Sequence, residues 1–69
     1  MTQYERILGY INEFGSISPM EAFNDLGITK LSTRISEMRA DGIEFNQTWE
    51  TRKNRFGEKV RYMRYSKGW

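Results

Sequence analysis

Short hydroxyl side chains line one side of the segment that runs from Gly27 to Gly42, GITKLSTRISEMRADG. At roughly 100° per residue, Thr29, Thr33 and Ser36 lie opposite the apolar residues of the same segment. Charged residues flank this row, namely Lys30, Arg34 and Glu37. Such groups can hydrogen-bond to base edges on the floor of a DNA major groove and to phosphate oxygens. A row of Ser and Thr can also be a solvated helix surface, so the segment alone leaves both interpretations open.

An apolar stripe indicates that this segment is a helix. Leu31, Ile35 and Met38 fall within about 60° of one another, which is the spacing of a buried helix face. We therefore expect a helix over residues 28–41 that presents the hydroxyl row outward. Two residues have the chemistry of its N-cap, Thr29 and Gly27.

Two capping boxes predict two further helices ahead of this one. In each box, a Ser or Thr side chain and a Glu side chain three residues later satisfy backbone N–H groups at the helix start. The boxes are Thr2 with Glu5 and Ser18 with Glu21. The first helix should span residues 3–14. We expect apolar residues to form the buried sides of the two helices: Tyr4, Ile7, Leu8, Ile11 and Phe14 in the first, and Met20, Phe23 and Leu26 in the second.

The predicted helices are joined by short connections. Only four residues separate Leu26 from Leu31, which is typical of a helix-turn-helix, although many three-helix bundles share this pattern. Gly9 predicts a close helix crossing. Ile17 is placed to pack back on the second helix as a hydrophobic staple.

The spacing of the apolar residues changes after Gly42, from a period of about 3.6 residues to a period of about 2. Ile43, Phe45, Gln47 and Trp49 alternate with polar residues. This alternation predicts a half-buried strand with Trp49 in the core.

A hairpin should follow this strand. Its tip is residues 52–57, RKNRFG, because Asn and Gly adopt the positive φ that such turns need. The second strand should return from Glu58 to about Tyr65. Its apolar residues fall on both faces, so either a bulge lies near Tyr62 or both faces are partly covered. The hairpin is rich in cations, namely Arg52, Lys53, Arg55, Lys59 and Arg61.

The positive charge is concentrated towards the C-terminal end of the sequence. Residues 1–51 contain four basic and eight acidic side chains, a net charge of −4, whereas residues 52–69 contain seven basic and one acidic, a net charge of +6. Segregated charge of this kind favours binding to a polyanion, most often nucleic acid. A basic segment can also serve solubility alone.

Several classes of function are disfavoured by composition. The 69-residue chain contains neither Cys nor His, which excludes disulfides, thiolate zinc sites and histidine general bases. The carboxylate pairs at helical spacing would make a poor Mg²⁺ site. An enzyme is therefore the least expected class, and we expect no catalytic residue, metal or cofactor. No apolar run approaches the roughly 20 residues of a membrane span, so we expect a cytoplasmic protein without a membrane partner.

Three helices followed by a basic β-hairpin predict an α+β, mainly α, winged helix-turn-helix domain over residues 1–69. The sequence resembles a family of small winged helix-turn-helix proteins found mostly in bacteriophages and prophages. GSISPMEAFNDLGITKLSTRISEMR resembles the helical core of that family, and KNRFGEKVR resembles its hairpin.

This resemblance implies a protein that binds double-stranded DNA, commonly to regulate transcription, in the host cytoplasm if phage-encoded. Helix 28–41 would lie in the major groove, and the basic wing 52–59 would lie on the phosphate backbone. Carried over by position, the groove residues are Thr29, Lys30, Thr33, Ser36 and Glu37, and the wing residues are Arg52, Lys53, Asn54 and Arg55.

Other partners stay open. Glu37 and Asp41 would repel phosphates, which favours a protein-interaction module such as a phage inhibitor of a host protein, although Glu37 can also accept a hydrogen bond from cytosine N4. Aromatic residues among the cations would suit RNA or single strands. A homodimer on a two-fold DNA site is a further possibility, with helix one or Trp69 as candidate surfaces.

Overall fold

The computed structural model describes residues 2–69, which form three helices and one three-stranded antiparallel sheet. The helices are α1 (Gln3–Phe14), α2 (Pro19–Leu26) and α3 (Leu31–Ala40). The strands are β1 (Ser16–Ile17), β2 (Phe45–Lys53) and β3 (Lys59–Lys67). The strand order is β1-β3-β2, so β3 is the central strand. The predicted order of three helices and a hairpin is confirmed, and β1 is an addition to it.

Both predicted capping boxes are present. The side chains of Thr2 and Ser18 accept hydrogen bonds from the third residue of α1 and α2, and the Glu side chain at that position accepts one from the cap backbone. Gly15 and Gly27 end these helices with φ of 90° and 70°, values that favour glycine. The predicted span 3–14 of the first helix is therefore confirmed.

The third helix starts later than predicted. It spans Leu31–Ala40 rather than 28–41, and the residue before Leu31 makes no side-chain cap. Neither N-cap candidate was right, because Gly27 ends α2 and Thr29 lies in the turn. Ile28 is the physical reason. Its side chain is 2% exposed, and its N–H donates to the Ala22 carbonyl at 3.0 Å, which holds the turn against α2 instead of starting a helix.

The core lies where the three helices meet the sheet. Its buried side chains come from every helix, from β1, from the turn before α3 and from the inner ends of β2 and β3. They are Ile7, Ile11, Ile17, Ala22, Ile28, Leu31, Ile35, Met38, Phe45 and Tyr65. Ile17 does more than the predicted staple, because it forms β1 and pairs with Tyr65.

Three large apolar side chains assigned to the core by their spacing lie on the surface instead. Phe14, Met20 and Phe23 are 64%, 64% and 56% exposed. On α2 the buried residue is Ala22, so the helix is rotated about its axis and turns Met20 and Phe23 outward. Phe14 lies in the last turn of α1, where its ring packs on Tyr10 with centroids 4.6 Å apart.

The hairpin register is continuous from Phe45 opposite Lys67 to Lys53 opposite Lys59. The bulge considered near Tyr62 is therefore absent. Partial cover of both faces is confirmed, because Tyr65 is buried on one face and Tyr62 is half-buried on the other. The returning strand spans Lys59–Lys67 instead of starting at Glu58.

Trp49 was wrongly assigned to the core. It is in phase with Phe45 but 57% exposed, because the hairpin extends past the helices in a molecule that measures 38 × 21 × 21 Å. The Arg61 guanidinium lies 4.7 Å from the centroid of the Trp49 ring. This cation–π contact covers part of the ring that the core does not.

The close helix crossing predicted at Gly9 is absent, since nothing lies within 4 Å of the position that a Cβ would take there. We predict that Gly9→Ala raises the free energy of unfolding by about 0.5–1 kcal/mol, because alanine has the higher helix propensity. The thermal midpoint measured by circular dichroism should rise by roughly 2–8 °C.

The matched variant Gly27→Ala should lower the midpoint, because the φ of Gly27 is 70° and an L side chain is strained there. If Gly9→Ala is no more stable than the wild type, the space around Gly9 is not free for a methyl group and the prediction from helix propensity is wrong.

Candidate nucleic-acid interface

The outer surface of α3 is formed by short polar side chains. Thr29, Ser32, Thr33 and Ser36 are all exposed, and among residues 2–69 no hydrogen bond engages their hydroxyl groups. Lys30 is also exposed, just before the helix. Ser32 was not predicted, although its position on the helix places it beside Ser36. The short residues leave the helix backbone accessible to a ligand.

Arg34 and Glu37 lie on the flank of α3 that is next to α1. Arg34 Nε is 3.1 Å from Glu37 Oε1, and the Tyr4 hydroxyl donates to the same oxygen at 3.2 Å. Burial, and then the hydrogen bond to Glu37, raises the pKa of Tyr4, so its hydroxyl remains a donor. Arg34 is half-buried. These two predicted site residues are therefore at the edge of the hydroxyl surface and not on it.

Arg39 joins the opposite flank of α3 to the hairpin. Its Nη2 donates to Gln47 Oε1 at 2.7 Å and to the Phe45 carbonyl at 3.3 Å. Its guanidinium also lies 5.8 Å from the centroid of the Tyr65 ring. The hydroxyl surface of α3 and one face of the hairpin are thus held on the same side of the molecule. Neither Arg39 nor Gln47 was among the predicted site residues, because helical spacing does not reveal which flank meets the sheet.

Strand alternation divides the side chains of the hairpin between two faces. The face that carries the Arg39–Gln47 contact, here called the front face, includes Gln47, Trp49, Lys53, Lys59 and Arg61. The opposite, back face includes Arg52, Val60 and Tyr62. The predicted cations are therefore separated. Lys53, Lys59 and Arg61 share the side of α3, whereas Arg52 does not.

Asn54 shapes the tip of the hairpin. Its Oδ1 accepts hydrogen bonds from the backbone N–H groups of Phe56 and Glu58 at 2.9 and 3.0 Å. Its own N–H donates to the Glu58 carbonyl at 2.8 Å, and Gly57 has a φ of 79°. The oxygen of this predicted contact residue is therefore committed to the turn. Arg55 and Phe56 are left exposed at the end.

A family model described as a winged helix-turn-helix domain matches residues 2–66. This chain belongs to the winged helix-turn-helix family. In that fold α2 and α3 are the two helices of the helix-turn-helix, and the β2–β3 hairpin is the wing. No curated protein and no solved structure was found to match the chain.

Arg64 fixes the root of the wing. Its guanidinium donates to Glu21 Oε1 at 2.8 Å, to Ser16 Oγ at 3.0 Å and to Glu50 Oε2. Burial alone would lower the pKa of Arg64, but its bonds to Glu50 and Glu21 outweigh this and raise the pKa. The bond from Arg64 in turn lowers the pKa of Glu50. This one basic residue therefore connects α2, β1 and β2 to the central strand.

Apart from Arg64, the cations of the wing have no acidic partners in the part of the chain that the structure describes. Ion pairs there involve only Arg34 and Arg64 as cations. Five of these cations lie towards the projecting end of the hairpin and are exposed, namely Arg52, Lys53, Arg55, Lys59 and Arg61. They give the projecting end of the molecule a positive potential.

The described residues offer no group of three or more acidic side chains placed to hold a metal ion. Across residues 2–69, each helix is too short or too polar to span a membrane.

The Arg64 cluster makes stability depend on pH. Because Arg64 lowers the pKa of Glu50 below its ordinary 4.5, the folded state binds this proton less tightly than the unfolded state. The stabilisation is complete above the ordinary pKa and is lost as the pH falls through the lower folded value. We predict that the thermal midpoint of the wild type falls more steeply below about pH 4.5 than that of Glu50→Gln. Parallel curves for the two proteins would contradict the role given to Glu50.

Proposed function

We propose that this winged helix-turn-helix domain binds double-stranded DNA and regulates transcription. In this proposal α3 lies in the major groove and the wing contacts the adjacent phosphate backbone. The observation that carries it is the Arg39–Gln47 hydrogen bond of 2.7 Å, because it keeps the hydroxyl surface and the front face of the wing on one side. One duplex can then contact both.

The start of α3 suits a phosphate group. No side chain caps it, and its first turn contains no acidic residue, so the backbone N–H groups of that turn and the positive end of the helix dipole are available to an anion. Lys30 stands directly before the helix and adds a cation. A phosphate bound here would position Thr33 and Ser36 for hydrogen bonds to base edges.

The wing supplies phosphate contacts that do not depend on sequence. Lys53, Lys59 and Arg61 of the front face can each neutralise a phosphate and release counterions. The Trp49 ring beneath Arg61, 4.7 Å from its guanidinium, restricts the conformations of this side chain. The arginine therefore loses less entropy when it binds.

Glu37 and Asp41 were the reason to consider a protein partner instead of DNA. The Glu37 carboxylate is occupied by Arg34 and Tyr4, so the repulsion it would exert on a phosphate is partly neutralised. Asp41 lies just after the last residue of α3, at the end of the helix far from Lys30. The proposal therefore keeps DNA as the partner and assigns no catalytic step to the domain. The regulatory role and the phage or prophage context derive from the sequence resemblance.

The division between the two wing faces can be tested with a matched pair of variants. We predict that Arg61→Ala weakens binding to all duplexes alike and reduces the slope of log K against log salt by about 0.9, the value for one phosphate contact. Arg52→Ala, on the back face, should reduce this slope less. Fluorescence anisotropy over a salt series measures both. Equal slopes for the two variants would refute the assignment of the front face, and absence of duplex binding at low salt would refute the proposed function.

The hydroxyl surface should determine sequence preference. We predict that Thr33→Ala or Ser36→Ala changes the sequences recovered from a random duplex pool and leaves the salt slope unchanged. The expected loss of discrimination is about 1–3 kcal/mol at the base pair concerned. Identical sequence profiles for the wild type and both variants would show that α3 does not read bases.

A further inference from the structure

An acidic groove lies between α1 and α2. This acidic surface has a volume of about 420 Å³ and is lined by Tyr10, Glu13, Phe14, Asp25 and Leu26, among others. Phe14 is 64% exposed, and the Tyr10 hydroxyl donates to Asp25 Oδ2 at 2.7 Å. Arg6 also lines the groove. The three carboxylates of Glu5, Glu13 and Asp25 outnumber it, so the groove is negative. The surface combines an exposed aromatic ring with negative charge.

A second groove lies between the start of α2 and the back face of the wing. This basic groove has a volume of about 620 Å³, and its lining includes Met20, Arg52, Arg55, Val60 and Tyr62. Met20 is 64% and Val60 41% exposed. Lys53, which strand alternation assigns to the front face, also reaches this groove at the end of β2, and no acidic residue lines the groove. The groove combines an apolar floor with positive charge.

The Arg64 cluster lies between these two surfaces. Glu21, which binds Arg64 at 2.8 Å, is one helical turn from Asp25 on the same flank of α2. Tyr62 is two residues from Arg64 and therefore shares its face of β3. The acidic surface and the basic groove consequently lie side by side on one side of the molecule, with the cluster as their boundary.

The proposed DNA contacts leave this side uncovered. Phe14 and Met20 have the periodicity of core residues, yet both are mostly exposed. Phe14 lies in the groove between α1 and α2, and Met20 lies beside Val60 and Tyr62 of the back face. One exposed apolar residue is ordinary. Two neighbouring surfaces with exposed apolar centres and opposite charge are complementary to each other.

We propose that a second copy of this chain covers this side, with the acidic surface of each copy docked in the basic groove of the other. Because the two surfaces flank one cluster, a single two-fold axis forms both contacts at once, which is the symmetry of most homodimers. Phe14 of one copy enters the groove of its partner, and Glu13 approaches the cations at the rim. This inference goes beyond DNA binding and does not depend on it.

Sedimentation equilibrium of the full chain without DNA tests the proposal. With rising concentration, from micromolar to millimolar, the mass of the wild type should rise from that of a monomer to that of a dimer and stop there, and added salt should weaken the association. Glu13→Lys leaves two basic and two acidic residues on the acidic surface, and Arg52→Glu leaves two basic residues and one acidic residue in the basic groove, so each change weakens the attraction between the two surfaces. Each variant alone should have an association constant at least about tenfold below that of the wild type. An equimolar mixture of the two should form the dimer again.

Arg61→Glu is the matched control, because it makes the same charge change on the front face of the same hairpin. Alone it should dimerise like the wild type. Mixed with Glu13→Lys it should form mixed dimers more weakly than Arg52→Glu does, because only one of the two contacts is then intact. Circular dichroism of each variant establishes that it is folded. A wild type that stays monomeric overturns the proposal, and so does a control that behaves like Arg52→Glu. Duplex binding is read separately, so these results leave the proposed function untouched.

Discussion

One guanidinium joins the root of the wing to the rest of the fold. Arg64 lies on the central strand and binds Ser16, Glu21 and Glu50 together, so α2, β1 and β2 all meet at its side chain. A hairpin of this length has few other contacts with the helices, because most of it projects beyond them. The cost of removing Arg64 from water is offset by its three acceptors. Together with the Arg39–Gln47 bond and the burial of Phe45 and Tyr65, this cluster fixes the direction of the wing relative to α3.

Given that fixed direction, the seven basic side chains of residues 52–69 take on different roles. Arg64 is structural, whereas Lys53, Lys59 and Arg61 lie on the side of α3. Arg52 turns to the other side, as strand alternation requires. The total charge of a segment is therefore a poor measure of its contribution to one interface. What matters is the face to which the pleat directs each cation.

The sequence predicted the features that depend on local chemistry. The capping boxes, the glycine helix ends and the hairpin turn at Asn54 all follow from residue types at fixed spacing. The fold class follows from their order. The sequence failed where burial depends on the neighbour of an element. Trp49 and Phe14 continue correct apolar stripes, but each lies where the packed body has already ended. In α2 the buried residue is Ala22 and not Met20. The sequence of an eight-residue helix does not reveal how the helix is rotated about its axis relative to the core.

The same limit applies to the site. Helical spacing identified Thr29, Thr33 and Ser36 as outward-facing residues, and the structure leaves all three exposed. It did not distinguish Arg34 from Arg39, although both flank the apolar stripe. Arg34 packs beside Tyr4 and Glu37, whereas Arg39 reaches Gln47 and unites α3 with the wing. Only the positions of α1 and the sheet, which come from long-range packing, separate these two arginines.

The central claim is that α3 and the front face of the wing form one surface for a DNA duplex. The most direct measurement is a titration of ¹⁵N-labelled protein with duplex DNA, followed by amide chemical shifts. The account predicts that the largest changes lie in the turn before α3, along its outer side and on the front face from Gln47 to Arg61, with little change around Phe14 or Tyr62. Changes concentrated at Phe14, Met20 and Tyr62, with α3 unaffected, would contradict it.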